Sequence, residues 1–206
     1  MHPLIPNLLS QQNQVNNVVL VSTSNVQWSG ITAFPGVTKP AGAAVGDVLI
    51  LGSASDVTGG WAAPSGFTDL FGTTDFAAAC YRVITGSESS VLKHSNGGAK
   101  QTTLAMLFRN CTMGAIGVGV HVSGATNAVA SSITPTAVGT LLAFFAGSTA
   151  QVLSTPSGMT AAGVLSTKLA VGGFTQSVNP GATGTRTSSV ATADELISGM
   201  LSLDSL

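Results

Sequence analysis

One stretch of this sequence occurs twice, and a chain that repeats a strand-and-turn unit must find a place for both copies. Ala44-Val45-Gly46 returns as Ala137-Val138-Gly139. The first copy leads into the apolar run Val48-Leu49-Ile50-Leu51, the second into Leu141-Leu142-Ala143-Phe144-Phe145-Ala146. Pro64-Ser65-Gly66-Phe67-Thr68 then returns as Pro156-Ser157-Gly158-Met159-Thr160. The offsets are 93 and 92 residues, so one deletion reconciles them. Solenoid units repeat every ~20–50 residues, and one repeat of this length is too long for that class. It reads as a β-module duplicated within the chain, repeat one over about 36–110 and repeat two over about 130–204. Residues 44–110 and 137–204 are expected to superpose, with Val48-Leu49-Ile50 matching Leu141-Leu142-Ala143.

The chain has 206 residues, enough to bury a core without disulfides or metals. Only 7% are charged, against about 25% in ordinary soluble domains, and the net charge is −1. A neutral surface resists association poorly, so copies of the chain or other partners are expected to cover much of it. The seven basic residues are scattered, which argues against a nucleic-acid partner. No apolar run approaches the ~18 residues of a membrane helix, and no membrane partner is expected. Met1-His2-Pro3 lacks the basic start of a secretory signal. Cys80 and Cys111 are expected to be buried, reduced and unbridged, as in a protein assembled in a cytoplasm.

Residues 1–14, MHPLIPNLLSQQNQ, read as an extended arm, because Pro3 and Pro6 disfavour helix. Leu4, Ile5, Leu8 and Leu9 have nothing to pack on within the arm, so a neighbouring subunit is their expected partner. The rest, residues 15–206, reads as strands rich in β-branched and small residues. Turn signals such as Thr58-Gly59-Gly60, Asn96-Gly97-Gly98 and Asn179-Pro180-Gly181 punctuate them. Short strands at this spacing predict an all-β, jelly-roll-like sandwich. Gly114–Val122 alternates at period two and is expected to be one strand with a small-residue face. Ala193-Asp194-Glu195-Leu196 is the one place for a turn of helix.

Chemistry-bearing residues are sparse. His2, His94 and His121 stand apart from cysteines and carboxylates at metal-ligand spacings, so no metal or cofactor is expected. No nucleophile elbow or phosphate loop is present, and the eight acids form no motif, so catalysis is not expected. Asp47, at a Gly-Asp turn, suits a carboxylate that accepts backbone N–H bonds. Trp61 follows Gly59-Gly60 in a loop and is the aromatic best placed to stack on a glycan, against core packing for Trp28, Phe67, Phe71, Phe76 and Tyr81.

Three segments together carry a resemblance. They are Gly46-Asp47-Val48-Leu49-Ile50-Leu51, Pro64-Ser65-Gly66-Phe67-Thr68 and Ala78-Ala79-Cys80-Tyr81-Arg82-Val83, closed by Thr103–Asn110. This pattern resembles a β-sandwich module of tailed-bacteriophage structural proteins. The likeness covers about residues 36–110 and extends only weakly to the second repeat; Phe67 and Met159 stand where the module usually has Trp. The resemblance implies a virion location after assembly in the host cytoplasm. It implies a homo-oligomeric capsid decoration or cement protein bound to the major capsid protein. A tail fibre or tail-tip adhesin binding host glycan through Trp61 is the alternative, and a glycan-processing enzyme the remote one. The module brings no family active site with it.

Overall fold

The computed structural model describes residues 17–30, 33–72, 75–96 and 98–206. The arm expected at residues 1–14, with Leu4, Ile5, Leu8 and Leu9, lies outside the described residues. Within them the chain is all-β. Its strands are β1 (Val19–Ser29), β2 (Val37–Thr38), β3 (Val48–Ser55), β4 (Thr68–Phe71), β5 (Ala77–Val83), β6 (Val91–Leu92) and β7 (Lys100–Arg109). They continue as β8 (Cys111–Ile116), β9 (Val120–Ala130), β10 (Gly139–Gly147), β11 (Thr160–Leu165), β12 (Ala170–Val178) and β13 (Arg186–Ser205).

Two antiparallel sheets form a sandwich. The first has the order β1-β7-β3-β5-β4; the second has β11-β12-β10-β13-β8, with β9 continuing along β13 beyond β8. A jelly roll passes strands from both halves of the chain into each sheet. Here Val19–Arg109 builds one sheet and Cys111–Ser205 the other. Each sheet also takes in a strand that precedes the repeated stretch, β1 in the first and β8–β9 in the second.

The central core lies between the sheets. Val48, Ile50, Leu104, Met106 and Phe108 face Leu142, Phe144, Val171, Leu201 and Leu203 across it. The outer faces are buried as well. Leu49, Leu51, Cys80 and Leu107 lie under the β2–β6 ribbon with Val37 and Leu92. Leu141, Phe145, Phe174 and Met200 pack with Ala128 and Ala130 of β9 and with Ile133, Leu153 and Met159. Strands covered on both faces carry continuous apolar runs, which is why β3 and β10 show no alternation.

Where the chain departs from its alternating pattern, the ladder explains it. The Gly114–Val122 run is split between β8 and β9, and Val118 between them is 78% exposed. Gly117 still donates its N–H to the Met200 carbonyl at 2.8 Å. A Cβ on Gly119 would stand 2.8 Å from Phe71 Cβ, so this glycine admits a side chain of the facing sheet. The helical turn expected at Ala193–Leu196 is instead part of β13. The register shifts on both sides of Asp194, where a bulge lets the carboxylate turn inward.

The two sheets run in matching registers. Thr68, Tyr81, Ile50, Met106 and Thr23 lie opposite one another in turn across the first sheet. Thr160, Thr175, Leu142, Leu201 and Ile116 do so across the second. Bulges fall between Asp69 and Phe71 in β4 and between Ala161 and Gly163 in β11, again 92 residues apart. This register matches Leu49 to Leu141 and Ile50 to Leu142, one residue away from the expected alignment. A one-residue slip reverses every side chain, and it would set core-facing Val48 against Leu141, which faces outward.

Candidate functional site

The residues that carry the resemblance are brought together at one end of the first sheet. Asp47 precedes β3 and Arg109 ends β7, so the antiparallel pairing of these strands sets them side by side. Arg109 donates from Nε to Asp47 Oδ1 at 2.8 Å and from Nη2 to Oδ2 at 2.7 Å. The same carboxylate accepts the Ala44 N–H at 2.9 Å, as a turn acid should. The Arg109 guanidinium holds the Asp47 carboxyl below the usual carboxylate range.

The Pro-Ser-Gly turn is held by a second arginine. Arg82 donates from Nη1 to the Ser65 carbonyl at 2.9 Å and pairs through Nε with Glu88 Oε1 at 2.9 Å. Burial alone would raise the Glu88 carboxyl, but the Thr85 N–H, the Thr85 hydroxyl and the Gly86 N–H pull it down to about 2. A groove of about 410 Å³ lies beside the turn, bordered by Phe67, Arg82 and Glu88. At the Pro156-Ser157-Gly158 turn of the second sheet Gln176 sits under Gly158, and Arg186 donates to Gln176 Oε1 at 2.7 Å. Both arrangements anchor turns, and neither leaves a group poised for proton transfer.

Trp61 is half-buried, and its indole N–H donates to the Asp75 carbonyl at 2.9 Å. Its ring lies against the His94 ring, with centroids 4.9 Å apart and a 45° tilt. The structure therefore sets Trp61 against a buried polar cluster at the first sheet. Beneath it His94 is fully buried, and neither ring nitrogen has a hydrogen-bond partner. Gln101 donates to the His94 carbonyl and, at 3.3 Å, to Thr103 Oγ1, which bonds Ser53 Oγ at 2.8 Å. Burial pushes the His94 imidazole down to about 4, so the ring is neutral at physiological pH. The sequence around it, Lys93-His94-Ser95-Asn96, is that of a polar loop and gives no sign of this burial. The other aromatics named above are not gathered into a platform. Phe71 and Phe76 are core residues, and Trp28 packs edge-on against Phe34.

Among the described residues, no three His, Cys, Asp or Glu side chains gather where a metal ion could be held. Asp194 accepts from Ser148 Oγ at 2.6 Å, from the Thr149 hydroxyl at 2.8 Å and from the Glu195 N–H at 2.8 Å, fixing the turn after β10. Asp75 meets His121 Nδ1 at 3.2 Å beside a groove of about 400 Å³ lined by Leu70, Phe71, Val118 and Ile197. Cys80 and Cys111 are both buried and unpaired. Burial pushes the Cys111 thiol up to about 12 and raises the Cys80 thiol as well, so both are poor nucleophiles. No helix among the described residues is long and apolar enough to cross a membrane.

Comparison with known protein families, characterised proteins and solved structures returned no significant match.

Among the described residues, two long strand edges are also exposed. β1 and β9 close the two sheets on opposite sides of the sandwich, and each is eleven residues long. Neither contains Lys, Arg, Asp, Glu or Pro. Along β9 the side chains of His121, Ser123, Thr126, Asn127 and Val129 are exposed.

Proposed function

We propose that this chain is a structural protein of a tailed-bacteriophage virion, with capsid decoration or cement as its role. The observation that carries the reading is the pair of long, uncharged edge strands. A free edge is a template for further strand pairing, and proteins that remain monomeric blunt it with lysine, proline or brevity. β1 and β9 each carry a register shift but none of these three, which suits a protein whose edges are covered in an assembly. The Asp47–Arg109 and Arg82–Glu88 clamps fit the same reading, since they make the resemblance motif a scaffold. A cement protein that binds only the assembled shell stabilises it by mass action, by about RT ln(1 + [L]/Kd) per site.

The adhesin alternative needs an aromatic surface for sugar, and Trp61 commits its N–H to Asp75 and one face to His94. Electron microscopy of particles of a phage that encodes the chain, labelled with an antibody against it, separates these roles. Regular label over the heads is expected. Label confined to fibre tips moves the protein to the adhesin role, and unlabelled particles beside abundant free protein overturn a virion role.

A further inference from the structure

The two sheets meet as an isologous pair meets. Across the core the order of one is reversed on the other: β4 lies beside β8–β9, and β1 lies beside β11. The rows of opposed residues give each position a counterpart, and they match Gly52 with Phe144. These two touch, for a Cβ on Gly52 would overlap the Phe144 ring. A residue in contact with its own counterpart marks a two-fold axis. To either side the contacts are reciprocal. Phe71 fills the space over Gly199; their counterparts, Gly163 and Leu104, fill the same space with the large and small partners exchanged. A Cβ on Gly163 would stand 2.9 Å from Leu104 Cδ1.

The link between the halves is a single residue. β7 ends at Arg109 and β8 begins at Cys111. Between them Asn110 has φ +59°, and among the described residues it is the one non-glycine with positive φ. Asparagine tolerates this left-handed conformation better than most residues, but an extended backbone is open to it too. In the extended form β7 and β8 would run on as one strand and the two sheets would part.

We infer that the chain is a duplicated module packed on itself about a pseudo-two-fold axis, with Asn110 as a hinge across which two chains exchange halves. In the exchanged dimer, residues 17–109 of each chain pack on residues 111–206 of the other. The contacts between sheets are the same within one chain or between two, so the backbone at Asn110 and the protein concentration set the balance. This inference stands apart from the virion reading and rests on the packing and the hinge alone.

The test refolds the full chain over a range of concentrations and reads its mass by light scattering after size exclusion. Asn110→Gly accepts the left-handed turn freely and should favour the monomer. Asn110→Val resists it, and the dimerisation constant should rise at least about fivefold over the Gly variant. Asn110→Ala substitutes for the Val variant should that chain fail to fold. Exchange itself is read by refolding a Gly52→Cys chain together with a Phe144→Cys chain and oxidising. A disulfide joins two chains only where their halves have exchanged. Monomers at every concentration for the Val and Ala variants, a dimer indifferent to residue 110, or a dimer without the mixed disulfide overturns the inference.

Discussion

His94 shows how one side chain ties the fold to pH. Its imidazole is buried and neutral, held at about 4, whereas in the unfolded chain it titrates near its ordinary value of 6.5. Between these values the unfolded chain binds a proton that the folded chain refuses, so stability falls as pH drops from about 6.5 to about 4 and levels off below. The loss amounts to roughly 3 kcal/mol at most, because each tenfold change in proton affinity is worth about 1.36 kcal/mol. His94→Phe keeps a ring against Trp61 and removes the titration; its urea midpoint should fall less over that window than that of the parent protein. Parallel profiles for the two proteins would refute the assignment. Asp47 is the second residue to probe. Asp47→Ala strands the Arg109 guanidinium and the Ala44 N–H, and chemical unfolding should show a loss of about 1–3 kcal/mol. The contribution of this carboxylate is present above its unfolded value near 3.8 and disappears as pH falls through the lower folded one.

At the scale of elements, the strands most legible in the sequence are those buried on both faces. The run Val48–Leu51 lies within β3, and Leu141–Ala146 lies within β10, because continuous apolar stretches between turn residues leave few other readings. β9 is hidden, since His121-Val122-Ser123-Gly124-Ala125-Thr126-Asn127 has the composition of a loop and becomes a strand by pairing with β13. The twenty-residue β13 reads as two strands, because its bulge at Asp194 interrupts the pattern. The clamps are harder to see. Asp47 and Arg109 lie 62 residues apart, and the adjacency comes from a ladder that neither residue announces. Exposed edges also make a prediction. Thr126→Lys or Val129→Lys on β9 should leave the circular dichroism unchanged and reduce self-association in analytical ultracentrifugation. Unchanged association would leave β9 without a partner role.

For the whole molecule, the sheets share a core, so they should unfold together. Tryptophan fluorescence reports on the first half through Trp28 and Trp61, and far-ultraviolet circular dichroism reports on both halves. The two urea curves should coincide, and a second transition seen only by circular dichroism would mean that the halves fold separately. Gly52→Leu, set against the Phe144 ring, should cost about 1–3 kcal/mol and shift both curves together. The same contact also bears on ancestry. In a dimer of identical subunits a residue on the axis meets itself, so a change there is made twice. Two first halves would put Gly52 against Gly52 and leave a hole, and two second halves would drive Phe144 into Phe144. On the duplication inferred above, joining the copies in one chain lets the two positions differ as socket and plug, so that each half fits its opposite better than its own kind.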